Sequence, residues 1–166
     1  MALDRVFVAG PCERVVIVGG PSRGKSTTAH EIHERTGAPV FCGDPASTVR
    51  FQKPYTVYLP EGMDFGSESS RWIVDNWLRM PGPWVLEGHV MARVLRKWMR
   101  GIPLGGSVDL FPCDRVIVLD CPAHRPTDAR QEALHTRAMK IWNKEIGDYF
   151  APIAEVITEP VPLLEP

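Results

Sequence analysis

The chain has 166 residues, 44% hydrophobic and 23% charged, ordinary values for a soluble globular protein and enough length for one domain with a real core. Nineteen basic against twenty acidic residues leave a net charge of −1, which argues against a protein that coats DNA by charge alone and leaves room for a local basic groove. No stretch reaches the roughly 18 apolar residues of a membrane span, and the N-terminus, with acidic Asp4 and only a short apolar stretch, does not read as a signal peptide.

In chain order, Arg14–Val18 is a short β-branched run that predicts a buried parallel strand. Gly19–Gly24 is a turn, and Lys25–Arg35 a helix with Ala29 and Ile32 inward and Gly37 as its stop. Pro39–Cys42 predicts a second strand, ending at Gly43-Asp44-Pro45; within the irregular stretch 46–65, Tyr55–Leu59 has the makings of a small strand. Gly66–Met80 predicts a helix with Trp72, Ile73, Asn76 and Trp77 near one side, ended by Met80-Pro81-Gly82-Pro83. Trp84–Leu86 is the third core strand. Glu87-Gly88 and a basic amphipathic helix over His89–Met99 follow, then a loop at Gly101–Pro112. Arg115–Leu119 is the fourth core strand, with Asp120 at its end; a long polar helix spans Thr127–Ile146, and Glu155–Thr158 is the final strand. The pattern predicts a three-layer α/β/α sandwich around a mainly parallel five-stranded sheet, as a single domain over residues 1–166 with a proline-rich tail at 159–166.

Cys12, Cys42, Cys113 and Cys121 are scattered without a CxxC pair, which reads as free, mostly buried thiols in a cytoplasmic protein. His89 and His124 lack a third partner at ligand spacing, so no zinc site is expected. The five tryptophans read first as core; Trp72 and Tyr55 are the two aromatics with some claim to face an acceptor base.

Gly19-Gly20-Pro21-Ser22-Arg23-Gly24-Lys25-Ser26 matches GxxxxGK[ST] in full, with an apolar strand before it and a helix after. Glycines let successive backbone N–H groups turn inward around phosphate oxygens, and the helix beginning near Lys25 adds its positive end. In this device Lys25 reaches the β- and γ-phosphates, Ser26 is the magnesium ligand and Thr27 supports the α-phosphate side. The turn therefore predicts a nucleoside triphosphate with Mg2+. It does not say what is done with it, because GTPases, ATPases and small-molecule kinases share it. A guanine-reading NKxD is missing after an apolar strand, since Asn143-Lys144-Glu145-Ile146 lacks the aspartate, and no apolar run ends in Asp-Glu.

Three acids follow predicted strands, where ligands of parallel sheets bind: Asp44, Glu87 and Asp120. Each is also compatible with capping a turn or helix, Asp120 most of all because Cys121-Pro122 after it looks like a loop entry. With the turn, this order resembles the P-loop kinases of the nucleoside, nucleotide and polynucleotide kinase superfamily, and the short chain with its Leu59–Arg71 stretch is similar to compact members encoded by bacteriophages. The resemblance implies a P-loop NTPase fold of nucleotide-kinase type and magnesium-dependent transfer of the ATP γ-phosphate to a hydroxyl acceptor. A nucleoside, a polynucleotide end or a hydroxymethylated base in DNA are the acceptors it suggests. It makes Asp44 the acceptor-orienting acid and Glu87 a magnesium or acceptor contact. It also implies a lid over about 121–147 whose arginines, Arg130 and Arg137, neutralise the moving phosphoryl group, with Arg125 in the preceding loop. Arg130 and Arg137 are seven residues apart and share a helix face. Arg93, Arg96, Lys97 and Arg100 form a basic face on the helix after Glu87, suited to an acceptor phosphate or DNA backbone, or simply to solvent. Arg50 and Lys53 complete the candidate acceptor lining. Glu87-Gly88-His89 replaces the DR[YH] of thymidylate-type kinases, which favours a hydroxyl acceptor. A hydrolytic NTPase switch and a nucleotide-binding protein without turnover are the alternatives.

Overall fold

The computed structural model of the protein describes residues 13–46, 53–64, 66–102 and 110–161. Arg50 and Cys12 lie outside the described residues. Six strands form one sheet: β1 (Arg14–Val18), β2 (Val40–Cys42), β3 (Thr56–Tyr58), β4 (Trp84–Glu87), β5 (Arg115–Leu119) and β6 (Ala154–Ile157). Their order is β3-β2-β4-β1-β5-β6, and every pairing is parallel. The five-stranded expectation is thus one strand short. The short Thr56-Val57-Tyr58 run pairs with Val40-Phe41-Cys42 as an edge strand, with Val57 open to solvent.

The central strands β1, β4 and β5 are apolar almost throughout because both their faces are covered, unlike the edge strands β3 and β6. Val16, Val18, Leu86, Val116 and Val118 point to one layer, where they meet Ile73, Leu95, Trp142 and Phe150. Val15, Ile17, Val85, Ile117 and Leu119 point to the other, against Ala29 and Ile32. The alternation is the period-two pleat of a strand.

Among the described residues, α1 (Lys25–Thr36) is the helix that covers the second face, and it ends at Gly37, whose φ of 75° allows its N–H to close on His33 O. Helices α2 (Ser67–Asp75), α3 (Met91–Arg100), α4 (Ala129–Ile141) and α5 (Gly147–Phe150) lie on the first face. The predicted 66–80 helix stops early: α2 gives way at Asn76 to a single 3-10 turn, Trp77–Arg79. Asn76 faces solvent rather than the core, and its Nδ2 donates to Trp72 O at 2.9 Å, a side-chain bond that competes with helix continuation. The long polar helix is held at its start by Asp128, which accepts from Gln131 N at 2.8 Å, and passes at Trp142–Ile146 into a π-helical turn before α5.

The connection after β1 runs through α1 toward β2, and the one after β4 runs through α3 toward β5, in the opposite direction and on the opposite face. Adjacent strands β1 and β4 therefore open a crevice at their carboxyl ends, where open α/β sheets bind ligands. Among the described residues no helix is long and apolar enough to cross a membrane.

Candidate functional site

The glycine-rich turn occupies the β1 side of that crevice. Gly24 takes φ 91° just before α1, a conformation that glycine adopts without strain, and Ser22 also has positive φ at 59°. No side chain caps the start of α1 and no acid lies in its first turn, so its positive dipole end is left without a carboxylate partner on the helix itself. Lys25 is buried and donates from Nζ to Gly20 O at 2.7 Å. Ser26 is exposed, whereas Thr27 is buried.

The turn is braced from behind by the segment after β5. The Arg23 side chain is 5% exposed; it donates to Pro21 O and Cys121 O and pairs with Glu132 of α4 at 3.0 Å. Ser22 O accepts from His124 N. Gly20 N–H donates to His135 Nδ1 at 3.0 Å, and the other ring nitrogen lies 3.3 Å from Asp120 Oδ1. His135 is thus a structural partner of the turn that nothing in the 127–146 string marks; only the passage of α4 over Gly20 reveals it.

Two acids close the crevice. Glu87, the last residue of β4, is 3% exposed and accepts from Ser26 Oγ at 3.4 Å. Its Oε2 is buried without a hydrogen-bond partner among the described residues. Asp44, just past β2, accepts the His89 backbone N–H at 2.9 Å on Oδ1, and His89 Nδ1 lies 2.9 Å from the same oxygen. Gly88 makes this approach possible: with φ 142°, a Cβ there would sit 3.1 Å from Asp44 Oδ1. Cys42 Sγ and one oxygen each of Asp44 and Glu87 lie within 4.8 Å of one another.

Burial and proximity divide the roles of the two acids. Burial pushes Asp44 up, but the hydrogen bond and charge of His89, with the charge of Lys25, outweigh it and hold the carboxyl below its usual range. For Glu87, burial and the neighbouring Asp44 charge win over Lys25, and the carboxyl is pushed up to about 7. Burial, Glu87 and Asp44 together push the Cys42 thiol up, so it remains protonated. The hard oxygens of Ser26 and Glu87, next to Asp44, suit Mg2+; the protonated thiol does not.

Beyond His89, helices α3 and α4 flank a half-open pocket of about 290 Å³ lined by His89, Arg93, Arg130 and Arg137 among others, with Arg130 and Arg137 themselves exposed. Three of the four arginines assigned to the lid and the acceptor on the described residues therefore converge. Arg96 does not join them: with Arg100 it pairs with Glu145, at 3.1 and 2.9 Å, because the π-helical turn brings that acid over α3. The basic face of α3 is accordingly divided, with Lys97 donating to Ser67 O at 2.7 Å. Neither aromatic considered as a base platform lies here. Trp72 packs edge-on against Trp77, and Tyr55 stacks on His33 with 3.9 Å between ring centres.

No family model matches this chain, and no curated protein matches its sequence. What the residues themselves define is a parallel α/β sandwich with a lysine, a hydroxyl and two buried acids gathered at one crevice of the sheet.

Proposed function

We propose that this protein transfers the γ-phosphoryl group of ATP, with Mg2+, to a hydroxyl of a nucleoside, a nucleic-acid end or a hydroxymethylated base. The observation that carries the reading is the meeting of Lys25 and Ser26, from the turn after β1, with Glu87 and Asp44 across the β1/β4 crevice. The turn alone accounts for a triphosphate. An ionised acid held by a neighbouring histidine, beside a second acid that faces the Ser26 hydroxyl, accounts for a second substrate.

In this reading the amides of residues 19–25, the end of α1 and Lys25 hold the donor phosphates. Ser26 and Glu87 hold Mg2+, which would supply charge neutralisation to the phosphates. Asp44 orients the acceptor O–H. As the acceptor oxygen bonds to the γ-phosphorus, the bond from that phosphorus to the β,γ-bridging oxygen breaks and ADP leaves. The acceptor proton passes to Asp44. A depressed pKa makes Asp44 a weak base, which is adequate in a loose transition state where the proton leaves late; its orienting role is the larger one. Arg130 and Arg137, from α4, supply the fork-shaped donors that meet charge on the moving group or the acceptor.

The test is incubation with γ-labelled ATP and Mg2+ against nucleosides, nucleotides, oligonucleotides with free 5′ hydroxyls and hydroxymethyl-base DNA. Label on an acceptor is the expected result. Label appearing only as free phosphate would replace this reading with a hydrolytic NTPase.

A further inference from the structure

Two sets stand out among the arginines of the described residues. Arg14, Arg23, Arg96, Arg100 and Arg115 each have a carboxylate partner. Arg93, Arg130 and Arg137 line the α3–α4 pocket, and among the described residues no carboxylate lines it with them. Arg93 and Arg137 are close enough in this pocket for their like charges to repel. Burial, then the charges of Arg137 and Arg96, push the Arg93 guanidinium down from its ordinary value. The backbone makes room for this: a Cβ on Gly66, whose φ is 109°, would lie 2.6 Å from an Arg93 terminal nitrogen. The guanidinium thus lies against the backbone at Gly66. Val90, Leu134 and Ile141 give the cavity an apolar wall, and His89 links it to Asp44.

We infer that this cavity binds a phosphate monoester carried by the acceptor itself, so that the substrate is a phosphorylated, nucleotide-sized hydroxyl compound rather than a neutral nucleoside. The inference rests on the phosphotransfer reading for the identity of the ligand as acceptor, though the anion site stands on its own geometry. Planar guanidinium groups from two helices match the several oxygens of one phosphate, and three positive charges favour a dianionic monoester over a singly charged diester. A cavity of about 290 Å³ holds a phosphate with a sugar-sized body. His89 at its wall sets the acceptor's hydroxyl end toward Asp44.

The experiment titrates inorganic phosphate and, separately, dimethyl phosphate into the protein saturated with ADP and Mg2+, so that the donor turn is already filled. Binding is followed by calorimetry and by the shifts of arginine side-chain resonances. Inorganic phosphate is expected to bind at least about tenfold more tightly than the diester, and R93Q and R137Q each to weaken it by about tenfold or more. The exposed control R79Q leaves it unchanged. Because Arg137 and Arg96 repel Arg93, R93Q is expected to melt no lower than the parent, which separates loss of the anion site from loss of fold. Phosphate binding that survives both R93Q and R137Q overturns the inference. Dimethyl phosphate binding as tightly as phosphate overturns it in favour of a polynucleotide backbone. If ADP itself fails to bind, the donor assignment falls, and the same titration without nucleotide still decides the anion site through R93Q and R137Q.

Discussion

The Gly20 N–H donates to His135 Nδ1 at 3.0 Å, and this bond joins the glycine-rich turn to the helix that carries Arg130 and Arg137. The contact is close enough to exclude a side chain: a Cβ on Gly20 would stand 2.3 Å from His135 Cβ and 2.5 Å from its Cα. Gly20→Ala must therefore push α4 away, and is expected to destabilise the protein by about 1–3 kcal/mol, as overpacking does. His135→Ala leaves the buried Gly20 amide without its acceptor, at a cost of about 1–3 kcal/mol. Urea unfolding of both variants measures this. A Gly20→Ala protein as stable as the parent would contradict the docking of α4 on the turn.

The charge of Lys25 acts on both buried acids of the crevice while its Nζ lies on the turn. Lys25→Met removes a charged hydrogen-bond donor from the donor phosphates. ATP affinity is expected to fall by about 10- to 100-fold, the range of one charge-assisted contact. Calorimetric titration of ATP with Mg2+ checks it, and an unchanged affinity would remove the turn from the donor site.

Asp44 is expected to matter for the acceptor and not for the donor. Asp44→Asn should lower acceptor phosphorylation by about 10²- to 10⁴-fold, the span of a lost acid–base group, with ATP affinity nearly unchanged. Gly88→Ala reaches the same acid by another route, because its Cβ would crowd Asp44 Oδ1 at 3.1 Å and its φ of 142° disfavours any side chain. It should reproduce the Asp44→Asn pattern in part. Single-turnover transfer, measured beside ATP binding, separates the two effects.

The parts of this arrangement that are legible in the sequence are those fixed by local chemistry. The run Arg14–Val18 announces a strand buried on both faces, and the spacing of Gly19, Gly24, Lys25 and Ser26 announces the turn, because a backbone that curls before a helix needs those residues in that order. Asp44 and Glu87 are legible as acids at strand ends, and strand order alone then brings them together. What is not legible depends on how distant helices seat. Arg96 looks equivalent to Arg93 on a helical wheel, yet Glu145, reached through a π-helical turn, takes one and leaves the other to the cavity. Asn76 follows the apolar spacing of α2 but turns outward where the helix ends. His135 carries no signal at all until α4 is laid across Gly20.

Glu87 in the crevice and His135 behind the turn drive stability in opposite directions with pH, which allows them to be told apart. Burial and then Arg23 lower the His135 pKa from 6.5, so its contribution is present above about 6.5 and is lost as pH falls through the lowered value. Glu87 is raised from 4.5 to about 7 by burial and Asp44, so its contribution is complete below 4.5 and is lost as pH rises through about 7. Glu87→Gln removes the second trend while keeping the shape of the side chain. Melting temperatures of the variant, relative to the parent, are expected to improve steadily between pH 4.5 and 7.5, leaving the His135 trend exposed at the acid end. Mg2+, by favouring the ionised carboxylate, should narrow that gap above pH 7 in the parent alone. Parallel melting curves for parent and Glu87→Gln across the range would show that Glu87 is not the raised carboxyl, and would leave Ser26 without its acidic partner in the metal site.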